Sequence, residues 1–132
     1  MENQSEPKIS GEIGQGAYGR TLRLKVPSSQ AAQWLRSIFR DMATTPTLLL
    51  SAQPGIQISD LESLELTRAD RRPARHVRED PKGHFIWSGT SEEWETAAQL
   101  MNPFVEGEHG HQYMTNEIGG SLEIEISFGE TP

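Results

Sequence analysis

The chain has 132 residues and no cysteine, which excludes disulfides, thiolate metal sites and cysteine nucleophiles. A single domain of this length buries roughly two-thirds of the surface its unfolded chain exposes, so it folds without cross-links. The net charge of −7 is unevenly spread: all 12 Lys and Arg lie at or before Lys82, and the stretch from Gly83 onward carries nine acidic residues and no basic one. Such a field attracts a cationic partner and repels nucleic acid phosphates.

Residues 1–7 are polar and read as a flexible tail, without the basic-then-apolar pattern of a secretion signal; residues 8–132 read as one domain. The longest apolar runs, Leu48-Leu49-Leu50 and Phe85-Ile86-Trp87, fall far short of the roughly 20 residues of a membrane span. A cytoplasmic setting with no membrane partner is therefore expected.

Ile9 to Ile13 and Arg20 to Val26 read as two strands, with the glycines of Gly14-Gln15-Gly16-Ala17-Tyr18-Gly19 forming the loop of a hairpin. Leu22, Leu24 and Val26 share one face. Pro27-Ser28-Ser29 then opens a helix, because a serine oxygen can accept from the free amides of a first turn. Ala31, Trp34, Leu35, Ile38, Phe39 and Met42 form its apolar stripe, and Pro46 ends it. Leu48 to Leu50 suggests a short buried strand, and Gln53-Pro54-Gly55 a turn. Ile56, Ile58, Leu61, Leu64 and Leu66 suggest one or two further strands interrupted near Ser59-Asp60.

After the turn Asp80-Pro81-Lys82-Gly83 comes a strand, His84 to Gly89. Thr90-Ser91-Glu92-Glu93 is a capping box for a second helix, with Trp94, Ala97, Ala98 and Met101 on one face and Asn102-Pro103 closing it. A last pair of strands, His111 to Thr115 and Ser121 to Phe128, flanks Gly119-Gly120. Strands in runs, without regular βαβ alternation, predict an α+β fold: a mainly antiparallel sheet with two helices packed on one face.

The glycine loop matches G-x-G-x-x-G, but a strand follows it where a dinucleotide site needs a helix. The strand lysine, H-R-D and D-F-G segments of a kinase are missing. Glu92-Glu93 serves the helix start, and Glu79-Asp80 works as an acid–base pair only inside a cleft. No nucleophile elbow occurs, so no catalytic activity is expected. Arg68, Arg71, Arg72, Arg75, His76, Arg78 and Lys82 form a basic segment diluted by Asp70, Glu79 and Asp80. Without interleaved aromatic residues it reads as a solvated excursion, not a nucleic-acid site. His109 and His111, two apart, would face one side of a strand, yet a metal needs three or four ligands. No metal or cofactor is expected, and hydrogen bonding or partner contact is the preferred role of the pair.

The block Glu108-His109-Gly110-His111-Gln112-Tyr113, followed by the alternating Ser121 to Glu130, resembles the ending of small bacterial immunity proteins encoded beside polymorphic or contact-delivered toxins. In that family an H-x-H or H-Q-Y stretch precedes a final alternating strand. The resemblance implies a protein that binds a cognate toxin, with nucleases prominent among such toxins, and covers its substrate surface. An acidic face would then stand in for phosphates. The expected contact residues are Glu106, Glu108, His109, His111, Glu117, Glu123, Glu125 and Glu130, with Tyr113 as an aromatic anchor. Glu123 and Glu125, opposite Leu122 and Ile124, should point to solvent or the partner. Two other readings stay open: a regulatory or chaperone-like module for another basic protein, and a small metal-dependent enzyme using His109 and His111. An edge strand, the last one for instance, would equally support a homodimer.

Overall fold

The N-terminal alternation becomes two antiparallel strands, β1 (Ile9–Gly16) and β2 (Gly19–Val26), paired from Ser10↔Lys25 to Gly16↔Gly19. The computed structural model describes residues 8–16, 19–70, 76–115 and 122–129. Gly14 and Gly16, expected in a loop, are strand residues, because pairing continues to the tip of the hairpin. Helix α1 (Ser29–Asp41) starts where Ser28 accepts from the Ala31 N–H at 3.1 Å. Its stripe buries Ala31, Leu35, Ile38 and Phe39.

Leu48 and Leu49 belong to β3 (Thr47–Leu49), an edge strand on which Leu49 is 44% exposed. The expected buried strand is thus corrected: only Leu50, at the start of a 3-10 turn, is fully buried, while Leu48 packs half-buried against the core. An apolar triplet does not by itself say which strand edge it lies on. The next segment splits into β4 (Ile56–Ile58) and β5 (Ser63–Arg68), which join different sheets. β6 (His76–Glu79) replaces the end of the expected basic excursion with a paired strand, while residues 71–75 lie outside the described residues. β7 (His84–Gly89) and helix α2 (Ser91–Leu100) follow the sequence pattern, and both bonds of the Thr90–Glu93 capping box form. Asn102-Pro103 does not end the helical run: a short helix α3 (Asn102–Val105) begins there, since proline is tolerated in a first turn. β8 (Gly110–Tyr113) and β9 (Glu123–Phe128) complete the described strands.

The fold is α+β, but the strands form two mixed sheets, ordered β4-β1-β2-β9-β8 and β3-β5-β7-β6. Four of the ladders are antiparallel and three are parallel. The mainly antiparallel expectation is thereby narrowed. Parallel neighbours arise because β2 pairs with β9, far along the chain, and because β6 takes the outer side of β7, leaving β5 parallel to it.

The helices tie the sheets together. Phe39 of α1 stacks on Trp94 of α2 at 5.9 Å and meets Trp87 of β7 edge-on at 5.4 Å; the two tryptophans lie 4.9 Å apart. Phe104 of α3 packs on Phe128 of β9 at 5.7 Å. Trp94 also donates from Nε1 to the Thr67 carbonyl at 3.0 Å, so its one polar atom is satisfied. Gly89 makes room for this ring: a Cβ there would sit 3.0 Å from Trp94 Cε2. Gly89→Ala should therefore cost about 1–2 kcal/mol by overpacking, partly offset by reduced chain entropy, read as a lower urea midpoint with unchanged slope.

A second tie is polar. Arg20 of β2 bonds Glu79 of β6 at 3.3 Å and sits 5.2 Å above the Phe85 ring of β7, joining the two sheets. Glu79 also accepts from the Gly83 N–H at 2.7 Å. That backbone bond first, and Arg20 after it, hold the Glu79 carboxyl below its ordinary value of 4.5. A depressed folded-state pKa stabilises above the unfolded value and ceases to do so as pH falls through the folded one. Wild type should accordingly melt above Glu79→Gln at neutral pH, with the gap closing as pH falls below 4.5. A gap independent of pH would show that ionised Glu79 contributes nothing.

Candidate partner-binding surface

Period-2 alternation puts Leu22, Leu24 and Val26 of β2 and Ile124, Ile126 and Phe128 of β9 into the core. The residues between them form the outer face of the five-stranded sheet. Register aligns these in rows. One runs Glu12, Arg23, Glu125, Tyr113 across β1, β2, β9 and β8; the next runs Gln57, Ser10, Lys25, Ser127, His111. Glu12, Arg23, Lys25 and His111 are exposed.

Arg23 is the hinge of this face. Its Nε donates to Glu125 Oε1 at 3.1 Å, with side-chain exposures of 47% for the arginine and 4% for the glutamate. Glu125 lies on an interior strand, with Arg23 of β2 and Tyr113 of β8 in register on either side of it. Beside the pair, a cavity of about 240 Å³ opens over β1, β2 and β4, lined by Ser10, Glu12, Arg23, Lys25, Gln57 and Ser59 among others. After β4, Asp60 turns the chain with a positive φ of 72° while its carboxylate accepts from the Ile13 N–H at 3.2 Å. Aspartate tolerates this left-handed geometry better than most residues.

The expected contact residues do not share one environment. Glu106, Glu108, His109 and His111 are exposed, on α3's end, the following turn and β8. Glu92 and Glu95 of α2, which the sequence pattern does not place among the contact residues, are exposed as well. Tyr113 is half-buried and meets His111 edge-on at 5.4 Å. Glu123 and Glu125 overturn the expectation of solvent-facing carboxylates: they are 5% and 3% exposed. Alternation gave their side of the strand correctly, but not the neighbours that cover it. Glu117 and Glu130 lie outside the described residues. The suggestion that the last strand is an edge is also corrected, since β8 and β4 are the edges of this sheet and β9 is interior.

Catalytic and metal arrangements gain little. Ser63 Oγ and His84 Nδ1 are 2.8 Å apart on paired strands, a contact the sequence reading missed because it depends on the β5–β7 register. Among the described residues no carboxylate is bonded to the far ring nitrogen of His84, so the orienting third group of a nucleophile–base set is not assembled. Among the described residues no three His, Asp or Glu side chains converge as metal ligands. His109 instead lies edge-on to Phe128 at 5.5 Å. Among the described residues no helix is long and apolar enough to cross a membrane. No protein-family model, curated protein or solved structure matches the chain.

Proposed function

We propose that the chain is a non-catalytic immunity protein that acts in the cytoplasm and neutralises a cognate toxin, such as a nuclease, by covering its basic substrate surface. The observation that carries this reading is the exposure of Glu92, Glu95, Glu106 and Glu108 along one continuous stretch, α2 through the turn before β8, in the part of the chain from Gly83 onward that has no Lys or Arg. The resemblance of the segment from Glu108 to Tyr113 to immunity-protein endings adds to it. Because Glu123 and Glu125 are withdrawn, the contact is shifted from β9 to this helix-and-turn stretch and the neighbouring His109 and His111.

Co-expression tests it directly. The product of the gene adjacent to this one should arrest growth alone and be tolerated when the chain is present. Reversing two exposed charges, Glu106→Lys with Glu108→Lys, should abolish that rescue without lowering the melting temperature. It should also slow association with the purified toxin by about tenfold at low salt. Rescue undiminished by the double reversal would remove the acidic stretch from the mechanism.

A further inference from the structure

The cavity over β1, β2 and β4 lies away from the acidic stretch and has a different chemistry. Glu125 takes only the Nε of Arg23, and the two terminal nitrogens of the guanidinium have no hydrogen-bond partner among the described residues. An arginine held this way presents its end as a two-pronged donor matched to a planar carboxylate. Lys25, two residues along the same strand face, has no ion pair among the described residues and lines the same cavity. Glu12 faces them from β1, paired in register with Arg23 but not bonded to it among the described residues.

With Glu125 and Glu12 set against Arg23 and Lys25, the site sums to zero charge and is strongly divided. A dianion such as phosphate would meet Glu12 unfavourably. A carboxylate with an N–H donor beside it would satisfy both ends, the acid on Arg23 and Lys25, the donor on Glu12. Ser10 and Ser59 add hydroxyls on the β4 side. The volume, about 240 Å³, is below the range of drug-sized ligand sites, roughly 300–1,000 Å³, and suits one residue-sized group. We propose that this cavity is a recognition site for a single carboxylate flanked by an N–H donor. That chemistry is shared by a free amino acid and by an acidic residue of a partner protein. The site is independent of the proposed function and stands or falls separately.

Nuclear magnetic resonance titration of the full chain tests it, with free glutamate in one arm and N-acetyl-aspartate methylamide in the other. The expected result is saturable shifts at Ser10, Lys25 and the Arg23 Nε–H in at least one arm. Saturation by glutamate alone identifies a free amino acid as the ligand; saturation by the capped aspartate identifies a partner's side chain. Lys25→Gln and Arg23→Lys, which keeps a charge beside Glu125 but loses the two-pronged donor, should each weaken binding by about fivefold or more. N-acetyl-asparagine methylamide binding as well as the aspartate would overturn the assignment. So would inorganic phosphate binding tighter than either acid, or no saturable shift in any arm with a fully folded protein.

Discussion

Trp87→Ala should lower the unfolding free energy by about 3–5 kcal/mol, the largest loss expected from any single substitution of an uncharged residue here. Trp87 is 1% exposed and sits between Phe39 and Trp94, each ring within 5.4 Å of its own. It is the point where α1, α2 and the β5–β7 ladder meet. Deleting it removes both the transfer energy of a large ring and the contacts across the void left behind, since Trp94 is itself tethered to Thr67 and cannot swing freely into the gap. Trp87→Phe keeps one aromatic ring and should lose about 1–2 kcal/mol. Urea unfolding of the two variants checks this ordering. A loss below about 1 kcal/mol for the alanine variant would mean the aromatic group is not the centre of the core.

Arg23→Met should destabilise more than Glu125→Gln, although both break the same bond. Removing the arginine leaves a carboxylate at 4% exposure with its ion-pair partner gone, whereas removing the carboxylate charge leaves a guanidinium at 47% exposure that water can solvate. Breaking a fully buried pair in the first sense costs about 3–5 kcal/mol, and a solvent-exposed pair is worth about 0–1 kcal/mol. With one partner in each environment, about 2–3 kcal/mol is expected for Arg23→Met and about 1 kcal/mol for Glu125→Gln. Combining the two substitutions should recover part of the loss, because the stranded charge is gone. Equal costs for the two single variants would show that Glu125 is not stabilised by Arg23.

What the sequence made legible was local. Ser28 as a cap, the Thr90–Glu93 box, the α1 stripe and the alternation of β2 and β7 all depend on residues within a few positions of one another, and all fold as expected. What it hid was neighbourhood. Alternation places Glu123 and Glu125 opposite the core, yet whether such a face is wet depends on which strands lie alongside. The parallel pairing of β9 with β2 has no local signature. The same gap concealed the Ser63–His84 contact and the cavity, since Glu12, Arg23 and Gln57 are adjacent only through register. Leu48-Leu49-Leu50 shows the limit for short apolar runs: composition gave hydrophobicity, and position in the sheet decided that Leu49 is outside.

The β2–β9 seam has a consequence for how the chain is made. Arg23 and Glu125 are 102 positions apart, so on the ribosome the first hairpin emerges long before the strand that seals its flank. Until then one side of β2 offers open amide and carbonyl groups, the kind of template on which strands of other molecules add. Arg23 and Lys25, fixed on that strand, act as charged gatekeepers during the wait. A stalled nascent chain ending ahead of Glu123 should therefore stay soluble with both cations present and precipitate when both are replaced by threonine.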